Sequence, residues 1–187
     1  MALIGILGGS FNPAHSGHIA ISKFAFNCLK LEQIWWAIAP LNPLKQESSL
    51  IDLSARISYA QKIAKPSFIK VKILETAKQK SYSINLIKQL FLDYPEHKFT
   101  WLMGADNLVN FTKWYQYEQF INLINIAIFP REKFLTLPNI FTEKYKKYYI
   151  NSKNIVELTK IKPPAWSIIP MNNINISATD LRNGKYK

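Results

Sequence analysis

The chain has 187 residues and a formal net charge of +12, from 24 Lys and Arg residues against 12 Asp and Glu residues. Hydrophobic residues make up 48% of it, which is enough for a packed core and excludes a disordered protein. A single cysteine, Cys28, excludes a disulfide framework and a multi-cysteine zinc site. No apolar run reaches the roughly 18 residues of a membrane span, and the apolar N-terminal stretch is too short for a signal peptide. We therefore expect a cytoplasmic protein with one domain over residues 1–187.

Predicted strands and helices alternate along the chain. The predicted strands are residues 2–7, 33–39, 67–74, 99–103, 124–129 and 166–170. The predicted helices are residues 17–29, 51–64, 81–94, one or two short helices over 107–123, and a last helix capped by Ser177. Residues 132–162 have poor periodicity and predict a surface excursion. The order favours an α/β fold, a Rossmann-like parallel sheet with helices on both faces.

The most distinctive segment follows the first predicted strand and reads GGSFNPAHSGH from Gly8 to His18. Its first two glycines predict a tight turn that lets the backbone approach a ligand, and the helix that follows directs unpaired N–H groups at the same space. Two of the three histidines of the chain, His15 and His18, lie here. Two histidines without a neighbouring acid make a poor metal site, so no protein-held metal is predicted. The pattern indicates an anion-binding loop that is neither a Walker A loop nor a G-x-G-x-x-G fingerprint.

This segment resembles the signature of the H-x-G-H nucleotidyltransferase superfamily, whose members join the α-phosphate of a nucleotide to an acceptor and release pyrophosphate. The resemblance implies that His15 and His18 contact nucleotide phosphates and stabilise the transition state. Such transfer depends on alignment and charge placement more than on covalent help. The residues of this segment that the resemblance assigns to ATP binding are Gly8, Gly9, Ser10, Phe11, His15 and His18.

A second segment, from Ile176 to Arg182, reads ISATDLR and resembles the I-S-x-T-x-x-R motif of the same superfamily. By itself it is an ordinary helix cap. The resemblance implies that Ser177, Thr179 and Arg182 hold ATP phosphates at the start of the last helix. Arg131 follows the fifth strand, where the superfamily often carries arginine, and either a nucleotide contact or a surface position fits it. Arg56 is predicted to be structural.

Three central features resemble the nicotinate-nucleotide adenylyltransferase branch of that superfamily. The PLNPLK loop after the second strand implies that Asn42 and Lys45 face a substrate phosphate. The SYS tripeptide implies that the Ser83 hydroxyl contacts a pyridine carboxylate. The GAD tripeptide, followed by F-x-x-W, implies that Asp106 contacts a ribose and that Trp114 stacks on the pyridine ring.

The resemblance implies adenylyl transfer from ATP to nicotinate mononucleotide, giving deamido-NAD and pyrophosphate in NAD biosynthesis. The acceptor phosphate is already ionised at neutral pH, so no general base is needed. His15, His18, Lys45 and Arg182 would neutralise charge in the transition state. Mg²⁺ is expected to be carried with ATP rather than by a protein cage. ATP and nicotinate mononucleotide are the predicted partners, no membrane or nucleic acid is expected, and homo-oligomerisation is left open.

Two alternatives remain open from the sequence. One is another acceptor within the superfamily: nicotinamide mononucleotide, phosphopantetheine, or the acceptor of a cytidylyltransferase. The other is a non-catalytic RNA- or anion-binding derivative, which the +12 charge would suit. Nearly all of this positive charge is lysine, and most of it is expected to be solvated surface.

Overall fold

The structure is a computed structural model that describes residues 1–40, 51–73, 82–130 and 139–171. Six strands form one sheet. They are β1 Leu3–Gly9, β2 Gln33–Ile38, β3 Ile69–Lys72, β4 Lys98–Gly104, β5 Asn125–Phe129 and β6 Trp166–Ile168. The strand order is β3-β2-β1-β4-β5-β6, and every neighbouring pair is parallel. The predicted parallel sheet is confirmed.

Helices cover both faces of this sheet, as predicted. The α-helices are α1 Ser16–Cys28, α2 Leu53–Ile63, α3 Ser83–Asp93, α4 Tyr117–Leu123 and α5 Asn139–Lys144. The 3-10 helices are Ala105–Lys113, Lys146–Tyr148 and Ser152–Thr159. Because side chains alternate along a strand, the consecutive Trp35 and Trp36 enter opposite core clusters. Trp36 shares its cluster with residues of α1 and α2, whereas Trp35 shares its cluster with residues of α3 and α4.

The first strand is longer than the sequence predicted. Gly8 and Gly9 pair with Ala37 and Ile38 of β2, so β1 continues through both glycines. The turn therefore begins at Ser10 instead of at the glycine pair. The segment predicted as one or two short helices is a 3-10 helix followed by α4.

The described part of the predicted excursion, residues 139–162, forms short helices with buried apolar side chains. Phe141, Ile155 and Leu158 are each less than 10% exposed. The side-chain amide of Asn125 in β5 donates to the backbone carbonyls of Leu158 and Ile161, at 2.8 and 2.9 Å, and ties the segment to the sheet. The last predicted helix lies outside the described residues. Across the described residues, no helix has the length and apolarity to cross a membrane.

Candidate active site

The strand order reverses beside β1, and the space beyond the carboxyl ends of β1 and β4 is the crevice where a ligand is expected. The chain runs outward from β1 through β2 to β3, and then returns to place β4 on the other side of β1. Such a reversal leaves space beyond the carboxyl ends of the two central strands. Leu7 pairs with Leu102, so Gly9 and Gly104 end their strands at the same edge. The two segments that follow, one with the paired histidines and one with Asp106, leave the sheet at this point.

His15 and His18 cap the start of α1 for each other. The Nδ1 atom of His15 accepts from the backbone N–H of Gly17 at 3.1 Å, and the Nδ1 atom of His18 accepts from the backbone N–H of His15 at 3.1 Å. Their ring centroids are 3.9 Å apart. A neutral imidazole that accepts at Nδ1 carries its proton at Nε2, so this hydrogen-bond network assigns both rings as Nε2–H donors.

A buried stack holds His18 in place. Phe11 stacks on the His18 ring with centroids 4.5 Å apart, and Trp36 stacks on Phe11 at 5.1 Å. The Ser22 hydroxyl donates to the His18 carbonyl at 2.8 Å and accepts from the indole N–H of Trp36 at 2.8 Å. Both Ser22 and Trp36 are fully buried. Sequence analysis did not identify these two supporting residues, because helical and strand spacing mark them only as core.

Arg56 of α2 lies behind the turn that follows β1. Its side chain is buried, with 3% of the residue exposed, and the prediction of a structural role is confirmed. Its guanidinium donates to the backbone carbonyls of Ser10, Ala39, Pro40 and Ile51. Burial lowers the pKa of this guanidinium from its ordinary value, and the negative charge of Asp52 opposes that shift.

The two glycines at the end of β1 have different surroundings. A Cβ atom added at Gly8 would lie 2.3 Å from the indole ring of Trp101, whereas one added at Gly9 would lie 3.6 Å from Phe11. Trp101 is itself 3% exposed. Close packing of Trp101 therefore accounts for Gly8, in addition to the ligand approach that the sequence suggested.

The residues predicted for the acceptor that the structure describes lie on the 3-10 helix after β4 and at the start of α3. Asp106 lies in the first turn of the 3-10 helix that follows β4, and Trp114 caps the end of that helix. Trp114 is half-buried and packs on Phe111 with ring centroids 5.0 Å apart. Ser83 begins α3.

A tyrosine pair ties these two elements together. Tyr82 directly precedes Ser83, Tyr115 directly follows Trp114, and the two tyrosine rings lie 4.6 Å apart. The start of α3, which carries Ser83, and the end of the 3-10 helix, which carries Trp114, are therefore neighbours.

Several predicted site residues lie outside the described residues. They are Asn42, Lys45, Arg131, Ser177, Thr179 and Arg182. Within the described ranges, no three His, Cys, Asp or Glu side chains are grouped so that they could hold a metal ion. The elements that follow β1 and β4 in the described part carry the histidine donors, the Asp106 carboxylate and aromatic rings.

A family model described as cytidylyltransferase-like matches residues 6–184. The chain belongs to the cytidylyltransferase-like family. A relative from Agrobacterium fabrum, named a probable nicotinate-nucleotide adenylyltransferase, is 33% identical over 97% of this chain and 98% of its own length. A relative from Rhizobium etli with the same name is 34% identical over 97% of this chain and 96% of its own length.

Solved structures share the fold of this cytidylyltransferase-like chain. The nicotinic acid mononucleotide adenylyltransferase of Plasmodium falciparum, complexed with NaAD, superposes with a TM-score of 0.76 at 20% identity. That match covers 96% of this chain and 82% of the Plasmodium chain. The same enzyme complexed with APC superposes with a TM-score of 0.75 at 20% identity, over 98% of this chain and 83% of its own.

Proposed function

We propose that this member of the cytidylyltransferase-like family is a cytoplasmic enzyme of NAD biosynthesis. It transfers AMP from ATP to nicotinate mononucleotide and releases pyrophosphate and deamido-NAD. The observation that carries the proposal is the mutually capped pair His15 and His18 at the carboxyl edge of the sheet, with both rings held as Nε2–H donors. The names of the full-length relatives support nicotinate mononucleotide as the acceptor.

The histidine pair suits a polyphosphate because each ring accepts at Nδ1 and so keeps its Nε2–H as a donor. Each Nε2–H would donate to a phosphate oxygen on which negative charge grows during transfer. The positive end of the α1 helix dipole lies at the same place and would favour the negative charge of the phosphates. Because Phe11 and Ser22 hold His18 before ATP arrives, little reorganisation would be needed when the charge develops.

The acceptor would enter from the side of Asp106 and Trp114. Its phosphate oxygen, already ionised, would attack the α-phosphorus of ATP in line with the departing pyrophosphate, with no general base. The indole of Trp114 would stack on the flat pyridine ring, the Ser83 hydroxyl would donate to its carboxylate, and Asp106 would accept from a ribose hydroxyl.

Further contacts are proposed from the resemblance of the sequence motifs alone. Lys45 and Asn42 would hold the acceptor phosphate, and Arg182 would share the transition-state charge with the histidines. The remaining proposed contacts to ATP are the backbone of Gly8, Gly9 and Ser10, the ring of Phe11, and the side chains of Arg131, Ser177 and Thr179.

The phosphates of ATP are proposed to carry Mg²⁺ into the site. When bound, it would supply neutralisation of phosphate charge. The donors and rings of the described residues would bind the substrates, and the ligands of the cation would be substrate oxygens. The residues of this chain would then bind the phosphates around it and align them for transfer.

The test is a pyrophosphate-release assay with ATP and three acceptors: nicotinate mononucleotide, nicotinamide mononucleotide and phosphopantetheine. We expect release with the first and a clear preference for it. Loss of the His18 donor in His18→Ala should lower kcat by about 10²-fold, the typical cost of removing one transition-state donor.

The matched control is His97→Ala, which removes the one histidine outside the site, before β4. This variant should keep the kcat of the wild type. Pyrophosphate release with another acceptor only would contradict the proposed substrate. No release with any acceptor, together with salt-sensitive RNA binding, would contradict the proposed enzyme and favour the binding derivative.

A further inference from the structure

We infer that Arg56 is a positioning residue of the transfer reaction, which holds the turn after β1 at the distance from the sheet edge that phosphate binding requires. Arg56 lies on α2, and its guanidinium contacts the backbone of the turn. The inference rests on the proposed function, because it concerns where Ser10 and its neighbours present themselves to the phosphates of ATP. It goes beyond a general structural role, because the contacts of Arg56 converge on this turn and the adjoining strand end.

The contacts of Arg56 join three separate segments. One Nη atom donates to the Ser10 carbonyl at 2.6 Å and to the Ala39 carbonyl at 2.8 Å. The other Nη atom donates to the Pro40 carbonyl at 2.8 Å, and Nε donates to the Ile51 carbonyl at 2.9 Å. The turn after β1, the segment after β2 and the segment before α2 therefore share one rigid, planar group.

A second hydrogen bond joins two of these segments, and in this one Ile51 is the donor instead of the acceptor. The backbone N–H of Ile51 donates to the side-chain oxygen of Asn12 at 3.1 Å. Ile51 thus accepts from Arg56 and donates to the turn, so a shift of α2 would be passed to both Ser10 and Asn12. Asn12 is 2% exposed and Ser10 is 7% exposed, which leaves this turn little room to adjust independently.

Within the part of the chain that the structure describes, the acceptors of Arg56 are all backbone carbonyls. No carboxylate of the described residues forms an ion pair with it, although Asp52 acts on it electrostatically. Among the described residues, carbonyl dipoles therefore match the positive charge, and no acid is paired with it. It stays as a buried cation behind the loop that the proposed function assigns to polyanionic ATP.

Lysine cannot reproduce this arrangement. The four acceptors are served by three nitrogens in one plane, whereas lysine offers three donors from a single nitrogen on a flexible stem. Arg56→Lys therefore keeps the charge and loses the fixed geometry. Comparing Arg56→Lys with the wild type therefore distinguishes positioning of the turn from electrostatic attraction of the phosphates.

The experiment measures kcat and the KM for ATP in four folded proteins, at a temperature well below the lowest Tm. They are the wild type, Arg56→Lys, Lys62→Met and Leu158→Ala. Lys62→Met removes an exposed charge from the same helix. Leu158→Ala creates a cavity at a fully buried core position on another element and is the control for a general loss of stability.

We expect Arg56→Lys to lose at least about tenfold in kcat, since a displacement near 1 Å can cost up to about 10²-fold. Both controls should stay within about twofold of the wild type. An Arg56→Lys protein with normal kcat and normal KM would overturn the inference. A similar loss of kcat in Leu158→Ala would also overturn it, because general loosening would then explain the effect.

A measurement on the wild type decides the matter if Arg56→Lys does not fold. The chain has three arginines, so the Arg56 Nε–H signal in ¹⁵N NMR can be assigned by elimination with Arg131→Lys and Arg182→Lys. Adding α,β-methylene ATP should shift this signal and slow its hydrogen exchange. An unchanged signal at saturation would overturn the inference. Absence of pyrophosphate release by the wild type would refute the proposed function alone, and the NMR response would still test Arg56.

Discussion

Replacing Gly8 with alanine would place a methyl group within the van der Waals surface of the Trp101 indole. The new Cβ would lie 2.3 Å from Cη2 and 2.6 Å from Cζ2 of that ring. Normal carbon contacts are about 3.5–4.0 Å, so either the ring or β1 must move by about 1.2 Å or more. The ring is confined, because it packs edge-on against Trp114 and Phe120 with centroids 6.2 and 5.2 Å away.

Overpacking of this kind typically costs about 1–3 kcal/mol, and the tight surroundings of Trp101 place Gly8→Ala at the upper end, about 2–3 kcal/mol. For a chain of this length each kcal/mol lowers Tm by about 2–4 °C, so the expected decrease is about 4–12 °C. Gly9→Ala is the matched control. Its Cβ would lie 3.6 Å from Phe11, an ordinary contact, and its cost should be below about 0.5 kcal/mol.

The assay is urea and thermal unfolding followed by circular dichroism for Gly8→Ala, Gly9→Ala, Trp101→Leu and the Gly8→Ala/Trp101→Leu double variant. A smaller side chain at 101 makes room for the new methyl group, so the double variant should be more stable than the sum of the single changes by about 1–3 kcal/mol. Strict additivity, or equal costs at the two glycines, would refute the steric reasoning.

Three further predictions concern Ser22, Cys28 and Asp52. Ser22→Ala leaves the buried indole N–H of Trp36 without its acceptor and should cost about 1–3 kcal/mol in urea unfolding; a cost near zero would contradict the hydrogen bond. Burial raises the pKa of the Cys28 thiol from 9.0 to about 11, so its thiolate fraction at pH 8 is about 100-fold lower than that of an unfolded chain. Iodoacetamide should therefore label the native thiol about 100-fold more slowly than the urea-unfolded one, and equal rates would contradict this. The Ser54 hydroxyl and backbone N–H donate to the Asp52 carboxylate and lower its pKa from 3.8. The ionised cap therefore stabilises the fold above pH 3.8, and this contribution is lost as the pH falls through the lowered pKa. Asp52→Ala should lower Tm at pH 7 but have little effect at about pH 2, and the same decrease at both pH values would show that the charge is not responsible.

The alternation of strands and helices could be predicted because it depends on local periodicity. Apolar runs that end at Pro40 and Pro130, and helical spacing from Gly17 to Leu29, need no knowledge of distant contacts. Element ends were less accurate, since they depend on pairing partners. β1 runs through Gly9 because β2 offers matching residues there, which no local pattern reveals.

Part of the candidate site could also be predicted from local spacing. The spacing of His15 and His18 beside a predicted helix start identified both as candidates, and the structure places them at that start. Their tautomers could not be predicted, because these follow from which backbone N–H each Nδ1 atom meets. Trp36 supports His18 from a distant position in the chain, and no local sequence pattern indicates this contact.

The sequence by itself determined the α/β class, the two histidines and the family resemblance, since all three are written in short segments and their spacing. Only the tertiary structure decided how those segments are held. Arg56 reaches a carbonyl 46 residues away at Ser10, and Trp101 approaches Gly8 from the neighbouring strand. Such contacts depend on the strand order and on which face each side chain enters, and the fold sets both only when distant segments meet.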